Sequence, residues 1–148
     1  MADDEQRLRE VEQFRAAHGA DRVYVLTAIT PFRRAMDRFV LLERDEGASL
    51  LLICVECPFR APLDRGEPQP VTDEMLAEFR RRIDGAEKAW ASDAVPDGAY
   101  DGMTLVAERA SARGYDIVHI VAPRGNSPHA RLIYAWTQVF PSVRKALH

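Results

Sequence analysis

The sequence has no apolar run long enough to cross a bilayer and no excess of one charge sign. It carries only two cysteines and none of the short motifs that mark common reaction centres. Each absence excludes something. The longest apolar stretch, "ASLLLICV", is far shorter than the roughly 20 residues a transmembrane helix needs, so no membrane association is expected. Lys and Arg number 20 against 23 Asp and Glu, a formal charge of -3, so no overall field draws the chain to nucleic acid. Local basic clusters at Arg33 and Arg34, and at Arg80, Arg81 and Arg82, read as solvated faces, because consecutive helical residues spread around the circumference. The N-terminus "MADDEQRLREVEQF" is acidic, without a basic segment leading into an apolar one, and a cytoplasmic location is expected.

The two cysteines fall in "LLICVECPFR". Redox pairs of the thioredoxin type sit at a helix N-terminus, and here prolines follow at 58, 62, 68 and 70 instead of a helix. A structural zinc needs two further ligands at short spacing, whereas His18, His119, His129 and His148 are scattered. Cys54 and Cys57 are therefore expected as reduced thiols near a strand end, with no metal and no cofactor.

What is present is ordinary globular material: 47% hydrophobic and 29% charged residues in 148, enough for one core and one domain spanning 1–148. Leu8, Val11, Phe14 and Ala17 recur every third residue and predict an amphipathic helix stopped by Gly19. "RVYVLTAI" predicts a strand, and "RFVLLER" and "SLLLICVE" flank "DEGA" as a hairpin at the middle of the sheet. The stretch from Pro58 to Pro70 reads as a loop, since proline lacks the ladder donor. Thr72 caps a helix with the stripe Met75, Leu76, Phe79, Ile83, Ala86 and Trp90. After the turn-rich "SDAVPDGAYDG" come two alternating runs joined near Gly114. Ser127 and Pro128 then open an apolar last helix that Pro141 ends or kinks. The order α-β-β-β-α-β-β-α, with mostly hairpin connections, predicts an α+β fold: a mostly antiparallel five-stranded sheet with helices packed on one side.

Three constellations hold polar groups in numbers. "APRGNSPHAR" joins Arg124, Gly125, Asn126, Ser127, His129 and Arg131 at a helix start, where free N–H groups could hold an anion, although Ser127 as a simple cap explains the same residues. Asp93, Asp97 and Asp101 share one loop with Gly98 and Gly102 but lack the register of a calcium loop, and turns explain them more simply. His119 lies within a predicted strand, with Glu108 and Thr104 as conceivable neighbours for acid–base chemistry, though a structural histidine is the simpler reading.

The C-terminal third carries a resemblance. "YDGMTLVAER" followed by "YDIVHIVAPRGNSPHARLIYAWTQVF" resembles a pattern in small bacterial proteins, some of which are immunity proteins for interbacterial toxins. The matching positions are Asp101, Gly102, Thr104, His119 and Pro123. The departures are Met103, where a small hydroxyl residue is commoner, and Ile120 to Ala122, where an aromatic is expected. The resemblance implies a non-enzymatic protein, monomer or homodimer, that occludes a toxin or effector. The element order alone is also similar to that of class I chaperones of type III secretion. Partner-binding residues are then expected in the two charged loops: Asp93, Asp97, Asp101, Arg124, Asn126 and His129. The competing expectation is a small enzyme or ligand-binding domain with a pocket between the sheet and the C-terminal helix, using His119, Arg124 and His129.

Overall fold

The computed structural model describes residues 2–30, 35–95, 103–121 and 125–147. Strands β1 (Arg22–Ile29), β2 (Ala35–Glu43), β3 (Ser49–Pro58), β4 (Glu67–Val71), β5 (Thr104–Ser111) and β6 (Gly114–Val121) form one antiparallel sheet in the order β4-β3-β2-β1-β5-β6. Helices α1 (Ala2–Ala17), α2 (Asp73–Asp84), α3 (Pro128–Val139) and α4 (Pro141–Leu147) complete the fold. Among the described residues no helix is long and apolar enough to cross a membrane.

The α+β class holds, but the sheet has six strands rather than five. The extra one is "EPQPV", inside the proline-rich stretch expected to be a loop. Pro68 and Pro70 stand opposite Leu52 and Leu50, two residues apart on an edge strand. Alternation turns both donorless nitrogens outward, so neither removes a ladder bond. β3 is not central as expected: β4 covers its outer side, it stands second from that edge, and β2 and β1 take the middle positions. Entry into β4 requires glycine. A Cβ on Gly66 would sit 2.8 Å from the Ile53 nitrogen, too close for any side chain.

The expectation of helices on one side is also corrected. Strand alternation sends Tyr24, Leu26, Phe39, Leu41, Leu51, Leu105 and Ala107 to one face, beneath α2, α3 and α4. Val23, Val25, Val40, Leu42, Leu52 and Ala110 face the other way, where Val11 and Phe14 of α1 and Leu63 cover them. A sheet whose central strands are apolar on both faces needs cover on both. On the first face Phe79 is fully buried, with ring centroids 5.2 Å from Tyr24, 5.2 Å from Trp136 and 5.6 Å from Phe140.

Local signals explain the helix ends. Thr72 Oγ1 accepts from the Met75 N–H at 3.1 Å, and Ser127 Oγ accepts from the Ala130 N–H at 3.1 Å. The stripe expected to run through Gly85 to Trp90 divides: α2 stops with Gly85 as its C-cap, and a 3-10 turn, Glu87–Ala91, carries Trp90. Gly's low helix propensity places the break there.

The cysteines are not free thiols. Cys54 and Cys57 are joined in a disulfide with Cα atoms 5.5 Å apart. A regular strand would hold residues three apart at about 10 Å, beyond bridging distance. The distance closes because β3 bulges: Met36 pairs with Cys57 and Arg38 with Cys54, so Asp37 alone opposes Val55 and Glu56. Glu56 takes the left-handed φ of 52° within the bulge.

Candidate functional site

The expected binding residues that the structure describes, Asp93, Asn126 and His129, lie near the outer end of β6. Asp97, Asp101 and Arg124 fall outside the described residues. Of the rest, Asp93 contacts His119, and His129 contacts Ser92 beside it. Asp93 Oδ1 accepts from the His119 N–H at 2.8 Å and lies 3.6 Å from His119 Nδ1. The next residue back, Ser92, places its carbonyl oxygen 2.7 Å from His129 Nε2. Asn126 is exposed in the turn before α3. Residues 92 and 93 thus bind the end of the edge strand to the start of α3. The side chains at this corner remain in solvent, His119 at 41% and Asp93 at 54% exposure. Glu108 is not a partner of His119: the β5–β6 register puts Val106 opposite it, and Glu108 opposite Ile117.

The corner is continuous with an unpaired strand edge. His119 donates outward to Asp93, the Val121 N–H donates to the Ala94 oxygen at 2.8 Å, and the Ala94 N–H donates to the His119 oxygen at 2.9 Å. In an antiparallel ladder outward-facing groups recur every second residue, so Ile117 and Tyr115 present theirs on the same side. Among the described residues nothing bonds them. Over Gly114–Ile117 the edge is therefore open, while the opposite edge, β4, presents two prolines.

Two adjoining cavities lie at the other end of the sheet. One, of about 380 Å³, is lined by Arg22, Tyr24, Glu87, Arg109, Arg113 and Asp116, among others. The second, of about 280 Å³, shares Arg22 and Tyr24 and adds Glu43, Asp45, Arg80 and Asp84. Their charges are largely matched. Arg109 forks onto Glu87 at 2.7 and 2.8 Å, reaches Asp116 at 2.7 Å, and lies 4.5 Å from the Trp90 ring centroid. Its hydrogen bonds to Glu87 hold the guanidinium above its ordinary value and hold the Glu87 carboxyl below its own. The fully buried Glu43 takes Arg80 and Arg22 on Oε1. Burial, reinforced by the charge of Glu43, pushes the Tyr24 hydroxyl up to about 12. This trench is a balanced ionic lattice, and neither His119 nor His129 lines it.

Sequence reasoning weighed Glu108 only as a neighbour of His119 and passed over Arg38 and Arg109. Arg38, Glu108 and Arg109 stand in apolar runs, and a charged residue at an inward strand position was the available signal. No family model matches this sequence, and no curated protein matches it.

Proposed function

We propose that the protein acts by binding a partner protein along the open half of β6 and the corner of Asp93, His119, Asn126 and His129. The partner class implied by the sequence resemblance is a toxin or effector. The observation that carries this reading is the pair of outward main-chain positions, Tyr115 and Ile117, unbonded among the described residues, beside exposed polar side chains held on hydrogen-bonded backbone. Unpaired strand edges take extended segments as an added strand, whose ladder bonds give affinity and whose alternate side chains give selectivity. Asp93 and Ala94 already pair with part of this edge, Ala94 in parallel with Ile120.

An extended segment of a different protein fits better than a second copy. The two-fold antiparallel pairing that uses both Tyr115 and Ile117 sets Asp116 against Asp116, an unfavourable like-charge pair. A shift one way runs into Asp93 and Ala94, and a shift the other way runs into the 112–113 turn. Either shift leaves a single hydrogen-bonded residue pair.

Co-expression with the products of neighbouring genes, followed by affinity measurement on any complex, tests the reading. Ile117→Pro removes an outward N–H without breaking the β5–β6 ladder, as Pro68 and Pro70 do in β4. It should weaken binding at least about tenfold, or roughly 1.4 kcal/mol. A complex of unchanged affinity would remove the edge from the interface.

A further inference from the structure

The disulfide-bonded pair in β3 lies across the β2–β3 ladder from a buried cation. Arg38 is 1% exposed, and its Nη1 and Nη2 donate to the carbonyl oxygens of Ala61 and Pro62. Among the described residues no carboxylate lies within ion-pair distance of it. These carbonyl oxygens accept from it without carrying an opposite charge, Glu108, Glu10 and Asp64 act on it only from beyond ion-pair distance, and burying a cation so weakly paired is costly. Burial, and then the charge of Arg7, holds this guanidinium below its ordinary value. Arg38 is the cross-strand partner of Cys54, so both side chains stand on the same face of the sheet.

We propose that Cys54 and Cys57 form a redox-active pair, with Cys54 as an attacking thiolate stabilised by Arg38, exchanging with dithiol and disulfide substrates. The two sulfurs differ in access in the way this role requires: Cys54 is half-buried, whereas Cys57 is 1% exposed. Cys54 meets the substrate and Cys57 resolves. The bulge that brings them together has a support other than the disulfide, since the Glu56 N–H donates to Asp37 Oδ1 at 2.9 Å and Asp37 is 6% exposed. The reduced thiols are thereby kept close, and reclosure is intramolecular. Low-pKa thiols elsewhere commonly use a helix N-terminus or a neighbouring cation. Here the pair lies in a strand, and the cation is Arg38.

The exchange balances without a further reactant. Cys54 thiolate attacks one sulfur of a substrate disulfide, the substrate S–S bond breaks, and a mixed disulfide forms as the first substrate thiolate leaves. Cys57 passes its proton to the first released substrate thiolate and attacks Cys54 Sγ, the mixed disulfide breaks, and the second substrate sulfur leaves as a thiolate. Two electrons have passed from the pair to the substrate. Run in reverse, a dithiol reduces the pair. The other charged groups around Arg38 are Arg7 and Glu10 from α1, Glu108 from β5 and Asp64 from the 3-10 turn Leu63–Arg65, with Asp37 and Glu56 at the bulge itself. Arg7 is engaged by Glu108, leaving Arg38 as the cation paired across the strands with Cys54.

The experiment is alkylation of the dithiothreitol-reduced, folded chain with iodoacetamide across a pH series, each cysteine followed by peptide mass spectrometry. Cys54 should react at least about tenfold faster than Cys57 at neutral pH, with a rate midpoint below the ordinary thiol value of about 8.5. Arg38→Gln should raise that midpoint and Arg38→Lys should largely restore it. If Arg38→Gln does not fold, the wild-type profile and the lysine variant decide. As a second readout, Cys57→Ser incubated with glutathione disulfide should accumulate a mixed disulfide on Cys54, and Cys54→Ser should accumulate at least about tenfold less on Cys57. Equal reactivity of the two thiols, or a Cys54 midpoint at or above the ordinary value, would overturn the proposal.

Discussion

Tyr115 donates its hydroxyl proton to Glu108 Oε2 at 2.6 Å, across the β5–β6 pair on the face covered by α1. Glu108 is 1% exposed, and Arg7 completes its shell with Nε at 2.8 Å and Nη2 at 3.0 Å. Three elements thus converge on one buried carboxylate, which fixes the N-terminal end of α1 over the sheet. Burial, and then the charge of Glu108, raises the Tyr115 hydroxyl above its ordinary value, keeping it protonated as a donor.

Tyr115→Phe removes one charge-assisted hydrogen bond while keeping the ring. It should cost about 1.5–3 kcal/mol, read as a lower denaturant midpoint with unchanged slope. An unchanged midpoint would show that Arg7 alone satisfies Glu108.

Phe79 is the centre of the other face, enclosed by Tyr24, Trp136 and Phe140. Phe79→Ala should destabilise by about 3–5 kcal/mol, since both transfer and cavity terms apply. Equilibrium unfolding in urea measures it, and a loss below about 1 kcal/mol would be that of an ordinary surface site.

The Glu87 carboxyl is held below its ordinary value by its hydrogen bonds to Arg109. A depressed folded-state value means that the stabilisation is present above the unfolded carboxyl value of about 4.3 and is lost as pH falls through the lower folded value. The side chain is 61% exposed, and solvent screening limits the contribution to about 1 kcal/mol or less. The melting temperature of wild type should exceed that of Glu87→Gln at pH 7, and the difference should shrink with acid below about pH 4. A difference that grows with acid would contradict the assignment.

The β-branched and aromatic runs of β1, β2, β5 and β6, and the caps Thr72 and Ser127, were legible because they are local properties of a few adjacent residues. β4 was not. The rule against proline in a strand averages over positions, whereas Pro68 and Pro70 depend on which way each nitrogen faces and on standing at an edge. The disulfide was hidden for a related reason: three residues apart in a straight strand is too far, and only the bulge opposite Asp37 closes the gap. At the candidate site the strand histidine was legible as His119. Its contact with Asp93 depends on the path of a loop across space, which no local pattern encodes.

The unequal edges of the sheet set a limit on growth. Fibrous assembly by strand stacking needs two complementary edges on every subunit, so that each copy added exposes a fresh template. Here one margin is terminated by prolines and the other is partly filled by Asp93 and Ala94. Any chain that docks on β6 occupies the remaining template and offers no matching edge on this molecule's far side. Association through the sheet should therefore be self-terminating, ending at a complex of fixed size at concentrations where an open-edged sheet of the same composition would polymerise.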